Sequence, residues 1–160
     1  MTTTDEYIAV QYDQLCRQAQ EMISADPWFV AVMSNLSALI FDVLPDLNWA
    51  GFYLLRDGHL VVGPFQGKPA CIHIAVGKGV CGAAVEQDRV QVVADVHQFP
   101  GHIACDSASD SEIVLPIHSD GKIRAVLDID SPTFGRFAEE DVIGLQKLVN
   151  LMEQGMAWDS

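Results

Sequence analysis

Two Asp-Gly pairs constrain the fold of this 160-residue chain more than any other feature. Asp57-Gly58 divides "NWAGFYLLRDGHLVVGPFQG", and Asp120-Gly121 divides "EIVLPIHSDGKIRAVLDIDS". Each pair is flanked by aromatic and aliphatic runs of strand character. Such a dipeptide turns an antiparallel hairpin, because Asp and Gly accept the positive φ that a two-residue loop demands. The first hairpin is expected with strands over roughly 48–56 and 59–65. In the second, Ser119 should face Lys122, which brings Glu112 opposite residue 129, between Asp128 and Asp130.

The remaining segments punctuate this framework. Ile8, Tyr12, Leu15, Cys16, Ala19, Met22 and Ile23 recur at helical spacing over residues 5–23. Asp26-Pro27 reads as an N-cap and first helical position, opening a helix from Trp28 to Leu44 that Pro45 ends. "ACIHIAV" and "VQVVADV" suit strands, and "GKGVCGAAVEQ" is a glycine-rich entry into a short helix. A polar stretch follows from His97 to Ser111. A last helix runs from Glu139 to about Trp158, with the acids of "AEED" at its positive end. This order predicts an α+β fold, an antiparallel sheet with helices packed on one side. No repeat, linker or break in composition divides the chain. One domain is therefore expected, with helices over about 5–44, a sheet core over about 47–131 and a C-terminal helix over about 138–157.

Charge narrows the partners. Twenty-two acids against nine bases give a net charge of −13, the wrong sign for phosphate contacts. It equally disfavours an anionic membrane surface, whereas a small ligand carrying an amine suits it. The opening "MTTTDEYIAV" is no signal peptide, and no apolar run reaches bilayer length. A cytoplasmic, reducing setting is expected for the four cysteines.

Three of those cysteines, Cys71, Cys81 and Cys105, fall within 35 residues, while Cys16 sits on the first helix as core filler. Cys81 lies near a helix start, where the dipole favours a thiolate, although small core filler is an equal reading. Cys105 is unusual, because "GHIACDSASDSEIVLPI" surrounds a thiol with polar residues. His97, His102, Cys105 and Asp106 hold potential donors but lack the two-to-four-residue cysteine spacing of a zinc knuckle. Neither a metal nor a cofactor is expected.

Strand alternation in "VLDIDS" puts Asp128 and Asp130 on one face. Two acids on an apolar strand need a cation, a donor or each other, unless that face is wet. Trp49 and Tyr53 share a strand face with Gly51. Core packing explains such aromatics, and so does a wall for an ammonium with an apolar tail.

Together "NWAGFYLL", "GPFQGKPAC", "GKGVCG", "GHIACDSASDSEIVLPI" and "VLDIDSP" closely resemble the free methionine-(R)-sulfoxide reductases, which are built on a GAF domain. The resemblance spans about residues 26–155 with the motifs in order. It departs at Arg124-Ala125, where the family usually has glycine before "VLDID". It implies loops covering a small-ligand pocket and an enzyme that reduces the R epimer of free methionine sulfoxide. Cys105 then takes the catalytic position, Cys71 the main resolving position and Cys81 an auxiliary one. Trp49, Tyr53, Glu112, Asp128 and Asp130 match substrate-binding and proton-handling positions. The implied cycle is thiolate attack, sulfenic acid, disulfide with Cys71 and reduction by a thioredoxin-like dithiol. GAF relatives often pair through terminal helices, so a homodimer is in keeping. Two other classes remain: a non-catalytic GAF sensor of a small metabolite, and a thiol peroxidase or redox switch using Cys105 and Cys71.

Overall fold

Both Asp-Gly turns form, with positive φ at each residue: 52° and 81° at Asp57-Gly58, 54° and 75° at Asp120-Gly121. The computed structural model describes residues 4–102 and 108–159. Helices α1 (Thr4–Ala25) and α2 (Phe29–Val43) come first, followed by strands β1 (Trp49–Arg56) and β2 (His59–Gly67). Strand β3 (His73–Ala75), helix α3 (Gly79–Gln87) and strand β4 (Gln91–Val93) lead to one turn of 3-10 helix at Val96–Gln98. Strands β5 (Ser111–Ser119) and β6 (Lys122–Ser131) and helix α4 (Glu139–Gly155) complete the order. The strands form one antiparallel sheet in the order β3-β2-β1-β6-β5-β4.

The two faces of the sheet differ in kind. On one, α1, α2 and α4 bury Leu15, Met33, Leu36, Leu145 and Leu148 against Phe52, Ile113, Leu115, Leu127 and Ile129. At roughly 1.5–3 kcal/mol per large apolar side chain removed from water, this layer dominates the favourable energy of folding. One polar knot lies at its edge. Tyr12 Oη donates to Asp141 Oδ1 at 2.6 Å, while Arg136 and the Ala138 amide donate to Asp141 Oδ2. A buried carboxylate is tolerable there because every contact is a donor.

The other face carries Trp49, Tyr53, Val114 and Val126, and α3 covers it with Val80, Cys81 and Ala84. The expected placement of helices on one side therefore holds for three of the four. The glycine-rich start of α3 explains the exception, since a Cβ at Gly82 would stand 2.6 Å from the Ala75 carbonyl oxygen. Only glycine lets this helix sit so close to the neighbouring backbone.

Two sequence expectations shift. Helix α2 begins at Phe29 with Trp28 as its cap residue, and Asp26 instead accepts the Trp28 amide at 3.0 Å. Trp28 is held outside the helix by a parallel bridge to Ala157. In the second hairpin, Ser119 faces Lys122 as expected, but a bulge between Ile117 and His118 moves the register by one. Glu112 consequently faces Asp130 directly rather than residue 129.

Candidate active site

The three acids meet because of that register. Glu112 on β5 faces Asp130 on β6, and Asp128 faces Val114 two residues along the same side. On the opposite flank of β6, Trp49 pairs with Asp130, Gly51 with Asp128 and Tyr53 with Val126. Antiparallel partners share a face, so the aromatics and carboxylates line one surface. Gly51 leaves room between them, and a Cβ there would overlap Phe65.

A pocket of about 570 Å³, counted to its open mouth, lies over this surface. Trp49, Tyr53, Glu112, Asp128, Asp130 and Cys81 all line it. Trp49 stacks on Tyr53 at 5.7 Å and on Phe65 at 5.1 Å between ring centroids, making a rigid apolar wall. Their polar tips reach the segment that bears Cys71. Trp49 Nε1 donates to the Lys68 carbonyl, and Tyr53 Oη to that of Cys71, both at 3.1 Å. Cys71 itself is disulfide-bonded. Cys105 lies outside the described residues.

Burial sets the electrostatics. Glu112 and Asp128 are only 8% and 5% exposed, so the wet-face reading does not hold for them. Loss of water pushes the Glu112 carboxyl well above the usual range, and the charges of Asp128 and Asp130 raise it further. Burial also raises Asp128, but hydrogen bonds from Glu112 and Cys81 pull it back. The cluster therefore holds a proton more readily than isolated carboxyls do. One Asp128 oxygen, Oδ1, is buried with no hydrogen-bond partner. The arrangement can thus donate a proton and accept a cation within one small volume.

Of the two readings of Cys81, a thiolate at a helix start and small core filler, the structure favours the second. Cys81 is buried beneath the pocket, and burial followed by the charges of Asp128, Glu112 and Asp130 drives its thiol well above the ordinary value. Desolvation and three acids outweigh the helix dipole.

The GAF domain family signature matches residues 31–157. The free methionine-R-sulfoxide reductase of Escherichia coli is 53% identical over 91% of this chain and 88% of its own. The chain belongs to this family of GAF-domain reductases. Among solved structures, fRMsr of Staphylococcus aureus in complex with substrate is 53% identical with a TM-score of 0.87, covering 91% of this chain and 95% of its own. The free methionine-R-sulfoxide reductase of Neisseria meningitidis, also in complex with its substrate, is 38% identical with a TM-score of 0.88, covering 91% and 88%.

Several lining residues were missed in the sequence. Lys68 and Lys78 stand at the pocket, as does Ser109, which accepts the Asn48 side-chain amide at 3.0 Å. The lysines flank the glycine-rich motifs and signal nothing by spacing; only the folded β2–α3 connection brings them to the acids. His102 also reaches the pocket, and burial, then His97, lowers its pKa. Half-buried Cys16 packs at the helical core, away from this site.

Proposed function

We propose that the chain reduces free L-methionine (R)-S-oxide to L-methionine. The carrying observation is the meeting of a buried carboxyl pushed toward its protonated form, a carboxylate with an unpartnered oxygen, and an aromatic wall in one pocket. Asp128 accepts the substrate ammonium. Trp49 and Tyr53 hold the apolar tail and add cation–π attraction. Glu112, with Asp130, donates to the sulfoxide oxygen.

A sulfoxide accepts a thiolate at sulfur only as its oxygen gains a proton, and a crowded acid keeps a proton at neutral pH for that step. Cys105 attacks the sulfur and the sulfur–oxygen bond breaks. The oxygen leaves as water, and a second water then adds to the Cys105 sulfur. Methionine leaves with the electron pair of the bond between the two sulfurs, so that Cys105 becomes a sulfenic acid. Cys71 then displaces water to form a disulfide, which a cytoplasmic thioredoxin-like dithiol reduces. The disulfide-bonded state of Cys71 and its tether to Tyr53 support this resolving role.

The test is product analysis with separated epimers, free and peptide-bound. Only the free R epimer should yield methionine. Cys105→Ser should yield none in a single turnover, whereas Cys71→Ser should keep about one equivalent and then stall. Full single-turnover yield from Cys105→Ser overturns the assignment. Peroxide reduction without sulfoxide turnover would favour a thiol peroxidase, and tight binding without turnover a sensor.

A further inference from the structure

Reduction of a sulfoxide needs no metal, yet the floor of the pocket is built like a metal site. Cys81 Sγ and one carboxylate oxygen each of Glu112 and Asp128 lie within 4.8 Å of one another. All three residues are buried. The set comes from the first turn of α3, from β5 and from β6, so no sequence spacing reveals it. Independently, Asp128 Oδ1 is buried without a hydrogen-bond partner. A desolvated carboxylate oxygen in that state is costly, and what relieves it is positive charge.

We propose that Cys81, Glu112 and Asp128 form a site for a zinc-like divalent cation that closes the pocket to the sulfoxide. Tetrahedral zinc bonds of about 2.0–2.3 Å set ligand atoms about 3.3–3.5 Å apart, so small rotations of Glu112 and Cys81 complete the set. One sulfur and two carboxylates match a borderline-soft cation; magnesium and calcium require six or more oxygens. Three anionic ligands on a dication leave one negative charge, far less than three bare anions in the same volume. The protons of Cys81 and Glu112 pass to solvent as the metal binds. A fourth position faces the pocket, where water completes the shell.

The consequence is competition. Asp128 holds the substrate ammonium and Glu112 serves the sulfoxide oxygen in the function proposed above, on which this blocking role rests. A cation that takes both carboxylates occupies the ground the amino acid needs. Zinc would thereby stop the enzyme at its own substrate site.

Cobalt chloride serves as the probe, because a thiolate ligand gives cobalt a near-ultraviolet charge-transfer band. Zinc chloride titrated by calorimetry supplies stoichiometry. The protein should take up one cation per chain, show the band and ignore magnesium chloride. Cys16→Ser should keep the band. Cys81→Ser should lose it, with zinc affinity falling beyond the roughly 10–100-fold that outer-shell partners cost. Free methionine sulfoxide should displace the cobalt. A band that persists in folded Cys81→Ser, or no cation uptake, overturns the site. If Cys81→Ser fails to fold, Asp128→Asn takes its place, and undiminished zinc affinity there overturns it as well. Cobalt bound through Cys81 without any sulfoxide turnover would sink the functional reading alone. Sulfoxide turnover without a Cys81-dependent band would sink the cation site alone.

Discussion

The two faces of the β1–β6–β5 layer carry residues of the same strands under opposite rules. Toward α1, α2 and α4, Leu127 and Ile129 are fully buried among apolar side chains. Toward the pocket, their neighbours Asp128 and Glu112 are buried almost as deeply among other acids. The first face lowers the free energy of the fold. The second raises it and keeps a proton and a negative charge ready for a ligand. One strand alternation thus separates stability from chemistry at single-residue resolution.

The comparison breaks most sharply at Glu112. Replacing it with Gln should lower kcat/KM by about 10²–10⁴, the usual contribution of a positioned proton donor. The melting temperature should hold or rise, because a buried acid is removed. The folded-state pKa of Glu112 is raised from its ordinary 4.5. Its contribution to stability is therefore full below about 4.5 and is lost as pH rises through the raised value. Thermal melts against pH should show that decline in the wild type and a flatter profile in Glu112→Gln. Sulfoxide turnover should fall over the same alkaline range as the proton is lost.

On the opposite face, Leu127→Ala should cost about 2–5 kcal/mol in denaturant unfolding. Turnover per folded molecule should stay near the wild-type rate. A variant that lost turnover without losing stability would show that the two faces are not separable. Tyr53→Phe tests the boundary between them. Losing the bond to the Cys71 carbonyl should cost about 0.5–1.5 kcal/mol. Its recycling rate should fall more than its first turnover, as stopped-flow product formation would resolve.

The smallest effect lies outside both faces. His118 bridges Asp88 after α3 and Glu153 on α4 at 2.6 and 2.8 Å. Burial lowers its pKa, but the two carboxylates outweigh burial and raise it on balance. The bridge therefore stabilises below about pH 6.5, the unfolded value, and fades as pH rises through the raised folded value. His118→Gln should cost about 0.2–1 kcal/mol near pH 6 and less near pH 9, since the side chain is partly exposed.

Much of this was legible in the sequence, for physical reasons. The Asp-Gly turns needed no tertiary context, because positive φ at both residues selects the hairpin. Alternation likewise predicted a shared face for Asp128 and Asp130, and for Trp49 and Tyr53. The exact partner of Glu112 was hidden, since a bulge has no residue signature as strong as a turn. The state of Cys81 stood open between a thiolate and core filler, because a helix dipole is local, whereas burial and three converging acids are not. Trp28 was misplaced because the Pro27 carbonyl and Phe29 amide on either side of it bond to Ala157, more than a hundred residues away.

The bulge has a consequence of its own. Arg124 is the residue left unpaired between Ile123 and Ala125, at the far end of the hairpin from the acids. Without that odd residue, a two-residue turn would set Glu112 against Ile129 and point the two carboxylate groups to opposite sides. Their meeting is thus a question of parity. Substitutions near the pocket can scale its performance, but one residue added or removed between the bulge and Asp128 divides the acids between the two sides of the sheet.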